Sequence, residues 1–267
     1  MIEWHMHERL YKTQAVVLRR YDFGEAGRQL VVFTPNLGKL SMIAKGVKRV
    51  TSKLAGHLEP LTLSTIVAAR GRNLDTVTQA DTVESFVRAR TDPDRVFYGL
   101  LVIELLDKLT LEGEENRALW DLLIQTLRRI DAEDDPWAAA AYFQVRLLVL
   151  SGYKPELGRC VECEGDLDAR SLFFSPMLGG ALCPACRTAD TAAFAVSANA
   201  IKLLRLAASR SYTEYSRVRI PTTLRDEVDA ILHTNRLSIT DREVGSATLL
   251  ETLKRRSYQP TARPRDA

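Results

Sequence analysis

All four cysteines of the chain fall in two short pairs, and this arrangement constrains the fold more than any other feature. The first pair is Cys160 and Cys163, and the second is Cys183 and Cys186. Each Cys-x-x-Cys pair places two thiolates on one tight turn, where both can reach one ion at about 2.3 Å. Two pairs complete a tetrahedron and leave no open position for water. The spacing therefore predicts one structural Zn²⁺.

Iron, two redox-active pairs and buried free thiols are the alternatives to zinc. A thioredoxin-like pair belongs in a βαβ unit, and no such pattern surrounds either pair, whereas the ligand set alone does not exclude iron. The segment 164–182 is too short to bury a core, so metal binding would supply its folding free energy. The start of the chain lacks the pattern of a secretory signal. We therefore expect the reducing cytoplasm, where disulfides are rare.

Residues 1–82 are predicted to form a small β-barrel. Turn signals separate five strand-like segments, which are Gln14–Leu18, Leu30–Thr34, Leu40–Ala44, Leu61–Ala69 and Leu74–Ala80. Closure into a barrel would remove the exposed edges of such short strands, and a five-stranded OB-type barrel is one solution. Periodicity alone leaves an SH3-like barrel open.

The pattern becomes helical from about residue 83. Asp92-Pro93 and Asp135-Pro136 each provide an N-cap followed by a first-turn proline. Apolar periodicity predicts helices that end near Leu109, Ile130 and Leu150, and further helices after Ser197, around Leu224–Leu232 and around Val244–Leu253. We expect an α+β multidomain protein: the barrel (1–82), a helical domain (83–152 and 191–255), a four-cysteine zinc insert (153–190) and a basic, disordered tail (256–267).

The charge pattern identifies a basic block near the front of the chain. The formal net charge of +3 is too small to indicate a partner, but residues 1–85 hold 12 basic and 8 acidic side chains, a net +4. Five cations follow one another without an intervening acid: Lys39, Lys45, Lys48, Arg49 and Lys53. Such a block either binds anions or is a solvated loop, and charge alone leaves both readings open.

No pattern in the sequence assembles a catalytic site. The four histidines, at positions 5, 7, 57 and 233, form no HExxH motif, and neither GxSxG nor a phosphate-binding loop occurs. The acidic clusters at 112–115 and 133–135 lie at the starts of predicted helices, where carboxylates stabilise the N-terminus. We therefore expect no enzymatic activity. We also expect no transmembrane helix, because no run of 18 apolar residues is present.

Two blocks of the sequence resemble the RecO family of bacterial recombination mediators. One is Leu147-Leu148-Val149-Leu150-Ser151-Gly152-Tyr153-Lys154-Pro155-Glu156-Leu157, which leads to the first cysteine pair, with Phe174-Ser175-Pro176 and Gly179-Gly180-Ala181-Leu182 before the second. The other is Ala44-Lys45-Gly46-Val47-Lys48-Arg49 with Ser52, preceded by Gly24-Glu25 and Gly38-Lys39. The resemblance runs in order to about residue 255. One departure is Glu164, which stands where the family usually has glycine.

The resemblance implies an N-terminal OB-fold, a helical domain and an inserted zinc element. It also implies a non-enzymatic, nucleoid-associated protein that binds single- and double-stranded DNA and anneals complementary strands. It would cooperate with RecR in loading RecA onto DNA coated by single-strand-binding protein. The acidic-hydrophobic C-terminal tail of that protein would need an apolar pocket rimmed by Arg or Lys, which we expect on the helical domain.

On this interpretation the barrel contacts DNA mainly through its cations. The first-rank candidates are Lys39, Lys45, Lys48, Arg49 and Lys53, and the second-rank candidates are Arg19, Arg20 and Arg28. Tyr21 and Phe23 flank a turn and are available for stacking, whereas Phe33 is predicted to belong to the core. With few rings, we expect phosphate contacts to dominate and sequence preference to be weak.

Three alternative functions remain at the level of sequence. They are a zinc-ribbon transcription or translation factor, a metal-dependent nuclease and a scaffold that binds only protein. A zinc ribbon that contacts nucleic acid should carry cations between its cysteine pairs. The segment 164–182 instead holds three acids against one cation, Arg170.

Overall fold

The N-terminal part of the chain forms a closed five-stranded barrel in the computed structural model, which describes residues 10–133 and 135–240. Its strands are β1 (Leu10–Phe23), β2 (Gly27–Thr34), β3 (Gly38–Ala44), β4 (Leu63–Ala69) and β5 (Asp75–Glu84). They follow the order β1-β2-β3-β5-β4, and β1 closes the barrel against β4. The β3–β5 pair is parallel and its neighbours are antiparallel. The predicted OB-type barrel is therefore confirmed.

The apolar run in β1 is continuous because both of its faces are covered. Ala15 and Val17 lie in the core inside the barrel. Val16 and Leu18 lie instead in a core that the barrel shares with the helices. A strand buried on both faces has no reason to alternate polar and apolar residues. Phe33 belongs to the shared core, as predicted.

Seven helices are present within the described residues. They are α1 (Val87–Thr91), α2 (Pro93–Leu109), α3 (Arg117–Ala132), α4 (Pro136–Leu150), α5 (Ala198–Ser209), α6 (Tyr212–Tyr215) and α7 (Thr222–Thr240). The predicted caps are in place, because the Asp92 carboxylate accepts from two first-turn amides and the Asp135 carboxylate accepts from the Ala138 amide. The Asn116 side chain caps α3 by accepting from the Leu119 amide. None of these helices is long and apolar enough to cross a membrane.

The α2–α3 loop packs closely against the start of β3. The Gly113 amide donates to the Lys39 carbonyl oxygen over 2.9 Å. Gly38 has a φ of +63°, and a Cβ atom there would lie 2.0 Å from the Glu114 carbonyl oxygen. Glycine is thus required both by the backbone conformation and by this close approach. The contact fixes the helical domain against the barrel at β3.

The cysteine segment folds around a small sheet that the sequence did not predict. Its strands are β6 (Leu172–Ser175), β7 (Gly180–Leu182) and β8 (Phe194–Val196), in the antiparallel order β7-β6-β8. Phe174, Ala181 and Val196 belong to the shared core of the helical domain. The insert is therefore packed onto the helices. The predicted helix over Val244–Leu253 and the predicted basic tail 256–267 lie outside the described residues, as do His5 and His7.

Candidate nucleic-acid interface and metal centre

The fold brings the four cysteines together as the sequence predicted. Their Sγ atoms all lie within 4.8 Å of one another, and the Cys163 and Cys183 Sγ atoms are 3.9 Å apart. In the part of the chain that the structure describes, this is the one group of three or more His, Cys, Asp or Glu side chains able to hold a metal ion. Four converging sulfurs suit a tetrahedral metal site.

A tight turn positions the first cysteine pair. The Glu164 amide donates to the Cys160 carbonyl oxygen, and the Cys160 amide donates to the Gly165 carbonyl oxygen, each over 2.9 Å. The turn requires a φ of +58° at Glu164. A left-handed conformation favours glycine, because a residue with a Cβ atom adopts it at a cost. Glu164 preserves the turn at some cost in strain.

The backbone around the cluster prepares one sulfur to bind a cation. Burial raises the pKa of the Cys160 thiol, but hydrogen bonds from backbone amides, including those of Cys163 and Cys183, outweigh it and lower the pKa to about 6. Hydrogen bonds with the Cys163 and Cys183 thiols raise the pKa of Cys186 to about 12. The chain alone therefore favours one thiolate, and a bound cation would supply the charge that deprotonates the other sulfurs.

Asp190, at the end of the insert, holds the β6–β7 hairpin in place. Its carboxylate accepts hydrogen bonds from the Ser175 hydroxyl (2.6 Å), the Met177 amide (3.2 Å) and the Ala192 amide (2.8 Å). Burial acts to raise the pKa of this carboxyl group, but the three hydrogen bonds outweigh it and lower the pKa below its ordinary value. The buried Asp190 thus stabilises the β6–β7 hairpin that carries the second cysteine pair.

The second candidate site is one end of the barrel, which we call the barrel mouth. It is formed by the β1–β2 hairpin and by the segment 45–53, which follows β3. The Lys48 amide donates to the Ala26 carbonyl oxygen over 3.0 Å, so the segment rests on the hairpin. The Lys48 ammonium also lies 2.9 Å from the Asp22 carboxylate. This ion pair lowers the pKa of Asp22.

A bulge in β1 decides which way its arginines point. The pairing register of β1 with β2 shifts between Val17 and Arg19. Beyond the shift, Arg20 pairs with Leu30, which belongs to the barrel core, so Arg20 lies on the inner side of the sheet. Arg28 pairs with Ala44, another barrel-core residue, and lies on the same side. Arg19 and Tyr21 consequently lie on the outer side.

Carboxylates inside the chain already pair several of the predicted DNA-contacting cations. Arg28 Nη1 lies 3.0 Å from Glu59 Oε1, and Arg20 Nη1 contacts the other oxygen of the same carboxylate. In contrast, three exposed cations have no ion-pair partner within residues 10–133 and 135–240. They are Lys45, Arg49 and Lys53. Among the described residues, the mouth therefore combines cations that are held by carboxylates with cations that are not.

Lys39 differs from the exposed basic residue that the charge pattern predicted. Its side chain is buried, and its Nζ atom donates to the Asp107 carbonyl oxygen (2.5 Å) and lies 3.2 Å from Asp107 Oδ1. Arg19, which is half exposed, contacts the other carboxylate oxygen. Lys39 lies at the start of β3, where the α2–α3 loop covers it. We therefore leave Lys39 out of the candidate interface.

Two aromatic rings lie exposed on the hairpin. Tyr21 is 48% exposed and Phe23 is 46% exposed, so both rings are accessible from solvent. The Arg19 guanidinium lies 5.5 Å from the Tyr21 ring centroid. Val50, on the neighbouring segment, is fully exposed as well. The mouth therefore combines cations with apolar surface.

Sequence reasoning missed Glu59, which pairs with two of the candidate arginines. A signal was present, because Glu59 is the single acidic residue between Glu25 and Asp75. It stands amid a strongly basic stretch of the chain. Its partners are 31 and 39 residues away, so no local pattern could identify them.

The fold and the two sites define the class of this protein. It is an OB-barrel protein whose basic barrel shares a core with a helical body, and that body carries a four-cysteine centre of the metal-binding type. The protein-family model for the N-terminal part of recombination protein O matches residues 6–86, and the family model for its C-terminal part matches residues 90–235. The chain belongs to the recombination protein O family, a family of DNA repair and recombination proteins.

Relatives from several bacteria agree with this assignment. The chain is 35% identical to the DNA repair protein RecO of Dehalococcoides mccartyi over 244 residues, which is 91% of this chain and 96% of the relative. It is 35% identical to the RecO protein of Roseiflexus sp., over 93% of this chain and 88% of the relative. It is 34% identical to the RecO protein of Pelotomaculum thermopropionicum, over 91% of this chain and 94% of the relative. The resemblance inferred from the two sequence blocks is therefore confirmed.

Proposed function

We propose that this protein is a non-enzymatic recombination mediator that binds single- and double-stranded DNA at the barrel mouth and anneals complementary strands. The observation that carries the proposal is a group of exposed cations with no ion-pair partner among the described residues, Lys45, Arg49 and Lys53, beside the exposed rings of Tyr21 and Phe23. OB-type barrels bind single strands with a basic groove and stacking aromatic rings.

The composition of the mouth suits annealing. Lysine and arginine neutralise backbone phosphates and release counterions without reading the bases. Because the rings are few, most base edges of a bound strand stay free to pair. A protein that screens the repulsion between two backbones and leaves the bases free lowers the barrier to strand pairing.

The metal centre would hold one Zn²⁺ in a structural role. Cys160, Cys163, Cys183 and Cys186 would supply all four ligands, leaving no position for a water nucleophile. Zn²⁺ would stabilise a segment whose own core is small. This arrangement supports a protein in which the metal shapes the insert while the barrel binds DNA.

The rival zinc-ribbon function fits the insert less well. The residues between the two cysteine pairs include the exposed acids Glu164 and Asp166, and Arg170 is paired with Asp168. A negative surface of this kind repels phosphates. The insert also uses Phe174 to pack onto the helices, so this ring is unavailable to bases.

Partners would act through the helical body as well as the barrel. We propose cooperation with RecR and an indirect role in loading RecA on DNA coated by single-strand-binding protein. A groove of about 720 Å³ between α5 and α7 is lined by apolar side chains, including Leu203, Leu206 and Leu224, and by two cations, Lys202 and Arg219, against one acid, Glu227. These properties match what the acidic-hydrophobic tail of single-strand-binding protein requires. The protein would act in the cytoplasm at the nucleoid.

Annealing of complementary strands coated with single-strand-binding protein is the most informative assay. Strands annealed faster than in the absence of the protein, together with one zinc per chain in the same preparation, would support the proposal. Intact strands that fail to anneal would overturn it. Shortened strands after incubation with Mg²⁺ would support the nuclease alternative instead.

A further inference from the structure

Two arginines and one glutamate form a compact cluster on the inner side of the barrel mouth. Arg20 and Arg28 come from paired strands, and both donate to the Glu59 carboxylate. Their side chains are 39% and 22% exposed, and that of Glu59 is 25% exposed, so an anion from solvent can reach the cluster. The three side chains together carry a net charge of +1.

The backbone holds Glu59 firmly over the mouth. Leu58, directly before it, is 1% exposed and belongs to the barrel core. Leu61, two residues later, is buried in the shared core against α2. In addition, the Ser64 hydroxyl donates to the His57 carbonyl oxygen over 2.6 Å. The carboxylate is therefore fixed at this place by contacts on both sides of it in the chain.

The carboxylate resembles a backbone phosphate in the properties that arginine recognises. A phosphodiester carries one negative charge and presents two unesterified oxygens, as a carboxylate presents two oxygens with one charge. Guanidinium groups bind both in the same forked geometry. Exchanging Glu59 for a phosphodiester would leave the charge at the two arginines unchanged.

We propose that Arg20 and Arg28 form a phosphate subsite for a nucleic acid backbone and that Glu59 occupies this subsite in the free protein. The inference rests on the proposed binding of DNA at the mouth. A strand would contact Lys45, Arg49 and Lys53 first and would then compete with Glu59 for the two arginines. The competition lowers the affinity for DNA and speeds release, which an annealing protein needs once its strands have paired.

The test compares Glu59→Gln with Glu25→Gln. Glu25 lies exposed in the β1–β2 turn at the same end of the barrel, with no ion pair in the described part of the chain, so both variants change the charge equally. We expect E59Q to bind a labelled oligothymidine roughly tenfold more tightly than the wild type. The slope of log affinity against log salt should also become steeper by about 0.7 for each additional phosphate that the variant contacts. E25Q should change the affinity by about twofold or less.

Removal of an arginine distinguishes the subsite from a general charge effect. Relative to Arg28→Gln alone, the double variant E59Q/R28Q should gain much less affinity than E59Q gains over the wild type. Equal effects of E59Q and E25Q, or a gain that survives the loss of Arg28, would overturn the inference. If E59Q does not fold, Glu59→Asp withdraws the carboxylate by one methylene group and should give a smaller gain.

Inorganic phosphate separates this inference from the proposed function. Phosphate should raise the unfolding temperature of E59Q more than that of the wild type, and an equal effect on both would count against the subsite. If the wild type binds oligothymidine and E59Q binds it with the same affinity, only this inference is overturned. Failure of both proteins to bind oligothymidine would overturn the subsite and the proposed DNA binding together.

Discussion

Lys39 Nζ, on the third barrel strand, lies 3.2 Å from Asp107 Oδ1, on the helix α2. The Asp107 side chain is 2% exposed, and Arg19 contacts its other oxygen. A buried carboxylate needs its cations, because the loss of Lys39 would leave Asp107 away from solvent with Arg19 alone to balance its charge. These residues therefore join the barrel to the helical domain, beside the shared apolar core.

Lys39→Met tests this role. The change keeps the apolar stem of the side chain and removes its charge, and we expect the free energy of unfolding to fall by about 2–3 kcal/mol, measured in urea. Lys45→Met is the matched control, and we expect it to change stability by less than about 0.5 kcal/mol and to weaken DNA binding. A K39M protein of wild-type stability that binds DNA poorly would show that Lys39 contacts DNA after all.

The affinity for single-stranded DNA should fall steeply with salt. Each phosphate neutralised on a single strand contributes about 0.7 to the slope of log affinity against log salt. Three cations at the mouth lack an ion-pair partner in the part of the chain that the structure describes, and Lys48 is able to leave Asp22, so we predict a slope of about −2 to −3. Fluorescence anisotropy of a labelled oligonucleotide measures it. A slope near zero would mean that phosphate contacts do not dominate binding.

Metal removal should loosen the insert and spare the barrel. Cys160→Ser removes one of the four proposed zinc ligands, and we expect the variant to bind less zinc than the wild type and to exchange amides faster in β6, β7 and the two cysteine turns. Met177→Ser, an exposed change in the same insert, serves as the control and should retain zinc. Exchange in β1 to β5 and affinity for single-stranded DNA should stay near wild type. Loss of DNA binding in C160S would connect the metal to the interface.

Asp190 should contribute to stability in a pH-dependent way. Its three hydrogen bonds hold the pKa of the folded state below the ordinary value. A lowered folded pKa stabilises the fold fully above the unfolded pKa of about 3.9, and this contribution is lost as pH falls through the folded pKa. We expect Asp190→Asn to lower the free energy of unfolding by about 1–2 kcal/mol at neutral pH.

The difference between wild type and D190N should shrink as pH falls below about 4. Urea unfolding of both proteins at several pH values measures this difference. A difference that stays constant down to low pH would show that the ionised carboxylate does not stabilise the insert.

The elements that sequence predicted best are those specified by local patterns. The helices α2 and α4 begin at Pro93 and Pro136, directly after the aspartate caps, as the sequence predicted. The cysteine spacing likewise predicted the cluster, although the sheet that supports it was not predicted. The strands β6 to β8 escaped prediction because each spans only three or four residues. Strands this short have no measurable periodicity, and tertiary contacts decide their conformation.

The candidate interface could be predicted only in part, because charge partners depend on tertiary structure. Lys39 and Lys45 have similar sequence surroundings, but one is buried against Asp107, which is 68 residues away. The bulge after Val17, which directs Arg20 inward and Arg19 outward, leaves no signature in an apolar run. The sequence therefore identified the basic block and its rings but could not separate paired from unpaired cations.

The central claim is that the basic barrel mouth holds DNA by its backbone, and charge reversal tests it most directly. The measurement is the affinity for single-stranded DNA of a variant with Lys45, Lys48 and Arg49 all changed to Glu. The matched control reverses Arg90, Lys154 and Arg217, three exposed cations outside the barrel, and so produces the same net charge. We predict that the mouth variant stays folded and loses DNA binding, while the control retains most of its affinity. Unchanged affinity in the folded mouth variant, or equal loss in both proteins, would contradict this account.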